Sequence, residues 1–333
     1  MTTILVHFCV MPLRILIIRT SSLGDVVYAT AVLADIRRAH PDAEIDWVAE
    51  EAFANIPHMA GARRVIPFAL RRWRKVWWRT SAWRELAAFR CTLREETYDL
   101  VIDLNEQVKS ALVGYWARAK TRHGFDRASI REPLATLFYQ QTHRVPRTLH
   151  FMARCRMLTA SALQYDLIAA PRWQWNIDTP PSLPSSPYTM LLTATSRNDK
   201  LWPEDHWRAI IAACADRGLT VLLPWGNAEE QARCQRLAQG FEHTQVLPRL
   251  SLAALGGLLQ HARWVIGIDT GLTHFSAALG TPTVAIFTAT SPRQLGVHVQ
   301  GAHAQDIGDK GIVPLPQQVL ACVDALPRGE SHT

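Results

Sequence analysis

Short apolar runs alternate with stretches of helical spacing along nearly the whole chain, and this limits the possible folds more than any other feature. The runs Ile15–Ile18, Ile45–Val48, Val65–Phe68 and Leu100–Asp103 read as strands in the first half. Met190–Thr193, Thr220–Leu223, Gln245–Leu247, Val265–Asp269 and Val284–Phe287 read as strands in the second. Between them the spacing predicts helices over Val26–His40, His206–Arg217, Ala228–Gln239, Leu252–His261 and Leu272–Leu279, with Gln317–Ala325 closing the chain. Strand runs interleaved with helices call for parallel α/β architecture. A proline-rich stretch without periodicity, residues 169–187, divides the pattern in two. The expectation is therefore two doubly wound domains, 11–168 and 188–316, facing a central cleft. A linker at 169–187 joins them, and a C-terminal helix and tail follow at 317–333.

Charge is distributed unevenly. Lys and Arg number 36 against 29 Asp and Glu, a net charge of +7. Ten of the basic residues and one acid, Glu85, fall between Arg63 and Arg94, so this segment carries +9 and the remainder −2. A local excess of that size predicts an anionic partner. Its centre, Arg71-Arg72-Trp73-Arg74-Lys75-Val76-Trp77-Trp78-Arg79 followed by Trp83-Arg84, interleaves cations with four tryptophans in eleven residues. That pattern suits stacking on nucleic-acid bases. It suits equally a membrane surface or a phosphorylated lipid, where Trp sits at the interface and Arg pairs with phosphate. A solvated amphipathic helix is the plain alternative.

The six cysteines lie far apart and include no C-x-x-C pair, which fits reduced, mostly buried thiols and a cytoplasmic protein. No apolar run is long enough to span a membrane. The N-terminal stretch MTTILVHFCVMPLRILIIR lacks a basic n-region and a small-residue cleavage site, and Pro12 and Arg14 interrupt it. Residues 1–10 read as an extension, with translation starting at Met1 or Met11.

Common cofactor signatures are missing. The sequence contains no G-x-G and no G-K-[ST], so neither the dinucleotide fingerprint nor the ATPase phosphate loop is present. It also contains no D-x-D and no H-E-x-x-H; His298 and His303 read as solvated loop residues, and no metal or cofactor is expected. Candidate chemistry therefore belongs at strand C-termini and helix N-termini. After the first strand comes Arg19-Thr20-Ser21-Ser22-Leu23-Gly24-Asp25, where small residues such as Ser22 and Gly24 let a ligand approach the backbone. Asp25 fits a general base for an acceptor hydroxyl, and either Asp25 or Ser22 fits a helix cap. In the second half Asp269-Thr270-Gly271-Leu272-Thr273-His274 leads from a buried strand into a helix whose N-terminus can cradle a diphosphate. Thr195, Ser196 and Lys200 follow another strand and suit phosphate contacts. Glu230 follows a third, where an acid can bind a ribose hydroxyl.

With LRILIIRTSSLGDVV, EIDWVAEE, VIPFALRRWRK, REPLATLFY, DKLWPEDHW, LPWG and IDTGLTHF in place, the sequence resembles the ADP-heptose:lipopolysaccharide heptosyltransferases from about Met11 to the last helix. RRWRK and REPL point to the heptosyltransferase I branch, and RRWRK argues against heptosyltransferase II, which extends an existing heptose. The resemblance implies a GT-B fold and inverting, metal-independent transfer of L-glycero-D-manno-heptose from ADP-heptose. The implied acceptor is the Kdo of Kdo2-lipid A, at the cytoplasmic face of the inner membrane. By the same resemblance Asp25 is the base and Thr195, Ser196 and Lys200 surround the donor diphosphate. Glu230 lies on the ribose side, Leu250 against adenine, and Asp269, Thr270, Gly271 and His274 complete the donor site. Arg71, Arg72, Arg74, Lys75, Lys109 and Arg131 face the acceptor's phosphates and carboxylates. Asn105-Glu106 stands where the family pattern has Gln-Gly. A non-catalytic RNA-binding protein is the alternative from another class, disfavoured because the positive charge is confined to one short segment.

Overall fold

The computed structural model describes residues 12–168, 170, 173–177, 184–195 and 197–327. The proposed extension, parts of the proline-rich stretch and Ser196 lie outside the described residues. Along the chain the first half runs β1 (Arg14–Ile18), α1 (Leu23–Ala29), α2 (Ala31–Ala39), β2 (Glu44–Glu50), α3 (Asn55–Met59), β3 (Arg64–Phe68), α4 (Leu70–Lys75), α5 (Thr80–Leu93), β4 (Thr97–Asp103), α6 (Val108–Trp116), β5 (Arg118–Phe125), β6 (Gln141–His143) and α7 (Phe151–Leu163). The second half runs β7 (Tyr188–Leu192), α8 (Glu204–Asp216), β8 (Thr220–Leu223), α9 (Ala228–Ala238), β9 (Thr244–Val246), α10 (Leu252–Gln260), β10 (Val265–Ile268), α11 (Gly271–Ala278), β11 (Thr283–Phe287), α12 (Pro292–Leu295), β12 (Ala304–Gly308) and α13 (Pro316–Ala325).

Each half forms a six-stranded parallel sheet. The strand orders are β3-β2-β1-β4-β5-β6 and β12-β11-β10-β7-β8-β9. Both have the doubly wound order of a dinucleotide-binding fold, and each reverses direction once, between β1 and β4 and between β7 and β10. Ligands of such sheets bind beyond the strand C-termini at that reversal. The loops after β1, β4, β7 and β10 are therefore the places to look for a site.

Side-chain alternation divides the first core into two layers. Ile15 and Ile17 pack with Tyr28, Val32 and Leu158, while Leu16 and Ile18 pack with Phe68, Trp73, Phe89 and Val113. A third apolar cluster bridges the halves: Val26 and Val27 of α1 and Ile56 and Met59 of α3 meet Met190, Leu192, Leu258 and Phe275. Val26 and Val27 are wholly buried there, so part of their apolar surface would return to water if the halves parted.

The structure departs from the sequence expectations at several places, and it adds helices α3 to α7 and α12, which the spacing did not predict. The helix expected over Val26–His40 is two helices, because the chain breaks at Thr30, whose hydroxyl donates to Val27 O at 2.6 Å. Its first turn begins at Leu23, which puts Asp25 inside the helix. Strands β5, β6 and β12 were not expected; their sequences RAKTRHGF, QTH and AQDIG lack an apolar run, and β6 and β12 are sheet edges. His298 is exposed as expected, with its Nδ1 paired to Asp306, whereas His303 is half-buried with Nε2 2.8 Å from Ala277 O. The described cysteines are free thiols, with Cys155, Cys214 and Cys234 buried and Cys91 exposed.

Candidate active site

The loops after β1 and β4 form one wall of a cleft of about 510 Å³, and α12 contributes Gln294 and Leu295 opposite. Asp25 lies on this wall, in the third position of α1. Its Oδ2 accepts from Ser22 N and Ser22 Oγ, both at 2.9 Å, and pairs with Arg19 Nη2 at 2.8 Å. Oδ1 has no protein partner among the described residues, so a lone pair remains for an incoming hydroxyl. Burial opposes the charge, but the Arg19 guanidinium and the Ser22 hydrogen bonds outweigh it and hold the carboxyl below the usual carboxylate range. Asp25 thus closes the capping box of α1 and stays ionised, with one carboxylate oxygen open.

Arg19 is itself fixed on three sides. It donates to Leu104 O at 2.8 Å, binds Asp25, and stacks over the Phe151 ring at 4.4 Å. Asn105 Oδ1 accepts from Thr20 N and Oγ1, both at 3.1 Å, which ties the β4 loop to the β1 loop. Where the family pattern has glycine, Glu106 takes a φ of 63°, in the left-handed region that glycine favours. An ion pair with Arg154 Nη1 at 2.6 Å holds it there. The cleft is lined by Arg19, Lys109, Arg131, Arg147 and Arg154 against two carboxylates, Asp25 and Glu106. Burial draws the Lys109 ammonium below its ordinary range, and Glu50 and Glu132 partly restore it.

The basic tryptophan segment does not line this cleft. Arg71 stacks over Phe53, and Arg72 is engaged by Glu51 at 3.1 Å and Glu85 at 2.7 Å, while Arg74 and Lys75 point to solvent from the same short helix. Trp73 is buried against Phe68 and Phe89, whereas Trp77, Trp78 and Trp83 stand 60–65% exposed.

The second half places its candidates at the other reversal point. Asp269 directly follows β10 and is almost fully buried. Its Oδ2 accepts from Lys200 Nζ at 2.6 Å and from Thr290 Oγ1 at 2.5 Å, and its Oδ1 lies 3.2 Å from His274 Nε2. Burial works against this carboxylate, yet His274, Lys200 and Thr290 hold it well below the usual range. Thr270 caps α11 and Gly271 opens it, so unpaired backbone N–H groups of that helix start beside Lys200. Thr195 lies half-buried in the β7 loop. Glu230 is committed to a cap: it accepts from Gly226 N at 2.7 Å and Asn227 Nδ2 at 2.8 Å at the start of α9. Leu250 packs into the shared apolar cluster beside α10.

Sequence reasoning missed Arg19, Arg147, Arg154, Tyr28 and Thr290. Only Arg19 and Thr290 had a usable signal, since both sit in loops at strand C-termini. Among the described residues there is no group of three or more His, Cys, Asp or Glu side chains placed to hold a metal ion.

Two doubly wound six-stranded sheets, joined through the apolar cluster that α1 and α3 share with the second half, make a GT-B type fold. Residues 82–308 match the model of glycosyltransferase family 9 (heptosyltransferase). The chain is 41% identical to lipopolysaccharide heptosyltransferase 1 of Escherichia coli strain K12 over 292 residues, covering 85% of this chain and 90% of that protein. It is 43% identical to the protein of the same name from Pseudomonas aeruginosa over 291 residues, covering 86% and 81%. A solved E. coli heptosyltransferase WaaC with ADP superposes with a TM-score of 0.85 at 37% identity, over 94% of this chain and 99% of that one. The chain belongs to glycosyltransferase family 9, and it is a heptosyltransferase. The E. coli ADP-heptose lps heptosyltransferase II shares the fold at only 22% identity, which leaves the heptosyltransferase II reading the weaker one.

Proposed function

We propose that this enzyme moves L-glycero-D-manno-heptose from ADP-heptose to the Kdo of Kdo2-lipid A, with inversion and without a metal ion. The observation that carries this is the close approach of the start of α1 to the start of α11, where a Cβ on Gly24 would lie 2.5 Å from His274 Cδ2. An ionised carboxylate with a free oxygen stands on one half, and Lys200 with the α11 N-terminus stands on the other. The solved relatives include one holding ADP and one holding ADP-2-deoxy-2-fluoro heptose, which supports the donor. The excess of cations in the cleft suits an acceptor rich in carboxylate and phosphate.

In this reading residues 11–168 bind the acceptor and residues 188–316 the donor. Asp25 Oδ1 takes the proton of the acceptor hydroxyl as its oxygen attacks the anomeric carbon from the face opposite the diphosphate. The C1–O bond to ADP breaks, and Lys200 with the α11 amides takes up the charge developing on the leaving diphosphate. Thr195, Ser196, Thr270 and Gly271 hold that diphosphate, and Glu230 and Leu250 hold the ribose and adenine. Arg71, Arg72, Arg74 and Lys75 contact the acceptor beyond the cleft, and Lys109 and Arg131 within it.

No helix among the described residues is long and apolar enough to cross a membrane. We assign the protein to the cytoplasmic face of the inner membrane as a peripheral enzyme. The exposed Trp77, Trp78 and Trp83, flanked by Arg74, Lys75, Arg79 and Arg84, have the makeup of an interfacial contact with anionic lipid. Incubation with ADP-heptose and Kdo2-lipid A, with and without EDTA, tests the proposal. A mass gain of one heptose in both reactions is expected. No gain refutes the substrate assignment, and a gain abolished by EDTA and restored by Mg²⁺ or Mn²⁺ refutes metal independence.

A further inference from the structure

The helix that carries Asp25 also reaches into the donor half. Tyr28, three residues on from Asp25, is fully buried, and its hydroxyl lies 3.0 Å from His274 Nδ1, 2.7 Å from Gly296 O and 3.0 Å from Leu295 O. The other ring nitrogen of His274 faces Asp269, which in turn holds Lys200 and Thr290. A continuous chain of hydrogen bonds therefore runs from α1 to the ammonium group of the donor site. It crosses between the halves at Tyr28 and His274.

The direction of these bonds follows from the acceptors. Ionised Asp269 can only accept, so His274 Nε2 carries a proton. The Gly296 and Leu295 carbonyls can only accept, so the Tyr28 hydroxyl donates to them at 2.7 and 3.0 Å, and its oxygen accepts from His274 Nδ1 when that ring carries both protons. The Gly296 carbonyl accepts a second bond as well, since His150 Nε2 lies 3.0 Å from it. His150 Nδ1 accepts from Met152 N at 3.2 Å, and burial pushes the His150 pKa down to about 4, so Nε2 is the ring nitrogen that donates.

Glycine makes this contact possible. A Cβ on Gly24 would lie 2.5 Å from His274 Cδ2, and one on Gly271 would lie 2.5 Å from Leu23 Cβ. The starts of α1 and α11 approach more closely than side chains at those two positions would allow.

We propose that Tyr28 is a positioning residue for the transfer. Its hydroxyl sets the His274 ring, and through it Asp269 and Lys200, when the base-bearing helix is seated against the donor half. The proposal rests on the roles given above to Asp25 and Lys200. Donor binding to the second half alone does not need this contact, whereas turnover does.

The test is a double-mutant cycle on kcat with ADP affinity measured by calorimetry in the absence of acceptor. Tyr28→Phe keeps the ring and removes the hydroxyl, and should lower kcat about tenfold, the rate equivalent of one hydrogen bond, with ADP affinity held within about twofold. In a His274→Gln background the same change should have no further effect. Gly24→Ala, which displaces the His274 ring, should reproduce the loss and should not add to Tyr28→Phe. A wild-type kcat for Tyr28→Phe overturns the proposal. So do losses that multiply with His274→Gln, because the hydroxyl would then act through the Leu295 and Gly296 carbonyls. Loss of ADP binding in Tyr28→Phe also overturns it, since the hydroxyl would then be supporting the donor half itself. Asp25→Asn measured beside these variants separates the two readings. Wild-type turnover there sinks the base assignment, whereas additivity in the cycle sinks only the role of Tyr28.

Discussion

Replacing Asp25 by Asn tests the chemistry most directly, because the structure separates the two roles of that side chain. Oδ2 holds the α1 cap through Ser22 and the ion pair with Arg19, while Oδ1 is left open. An Asn with its carbonyl turned toward Ser22 keeps the cap bonds and presents its amide to the cleft. The variant loses the charge facing Arg19, which converts one charge-assisted bond into a neutral one and costs about 1–2 kcal/mol of stability. That corresponds to a melting temperature lower by about 2–8 °C for domains of this size. The catalytic loss is of another order, because an amide cannot take the hydroxyl proton at neutral pH. We expect kcat to fall by about 10²- to 10⁴-fold, the usual worth of a general base. ADP affinity should be preserved, since the proposed donor contacts lie on the other half. The assay is heptose transfer at saturating donor, with a thermal melt and ADP binding on the same preparation. A rate within a few-fold of wild type would show that Asp25 is a cap alone and would refute the base assignment. A melting temperature far below the stated window would place the lost rate in folding.

Further predictions concern the acceptor side and pH. Lys109→Ala and Arg131→Ala should each raise the acceptor KM by about 10- to 100-fold through loss of a charge-assisted contact, with the donor KM unchanged; equal rises in both would refute the division of labour between the halves. Arg72→Ala should cost less than Lys109→Ala in the same assay, because Glu51 and Glu85 already neutralise Arg72 and it lies off the cleft. His123, stacked on His143 in the first sheet, is held neutral by burial, with its pKa lowered to about 4. Between pH 4 and about 6.5 the unfolded chain binds more protons at this group than the folded chain, so its contribution raises stability as pH rises. Thermal melts across that window should show a flatter rise for His123→Gln than for the wild type, and an unchanged slope would refute the assignment.

The parts of this fold legible in the sequence are those where one residue's chemistry suffices. Central strands such as Ile15–Ile18 and Val284–Phe287 are buried on both faces and therefore read as unbroken apolar runs. SSLGD and DTGLTH are legible because the reversal of strand order puts small, hydroxyl and acidic residues at strand C-termini, where a ligand approaches backbone amides. Edge strands such as QTH carry no such signal, since nothing apolar is required where half of the strand faces water. Thr30 reads as an ordinary helical residue, and the break there comes from tertiary fit, with the Trp173 indole N–H reaching its hydroxyl at 3.2 Å.

What the sequence could not supply is pairing at a distance. Tyr28 and His274 are 246 positions apart, and Lys200 and Asp269 are 69 apart. Lys200 and the Asp269–His274 motif read separately as phosphate-binding groups and Tyr28 as a core aromatic, and their pairing appears only when folding brings them together. The Asn105-Glu106 departure makes the same point from the other side. A glutamate in a glycine conformation looks like a defect in the sequence, yet Arg154 lies within 2.6 Å of its carboxylate. A glycine there would leave Arg154 buried in the cleft wall without its counter-charge, so the exchange of Glu for Gly and the presence of Arg154 must be judged together. The β4 loop keeps its shape because a side-chain ion pair replaces the backbone freedom that glycine would have given.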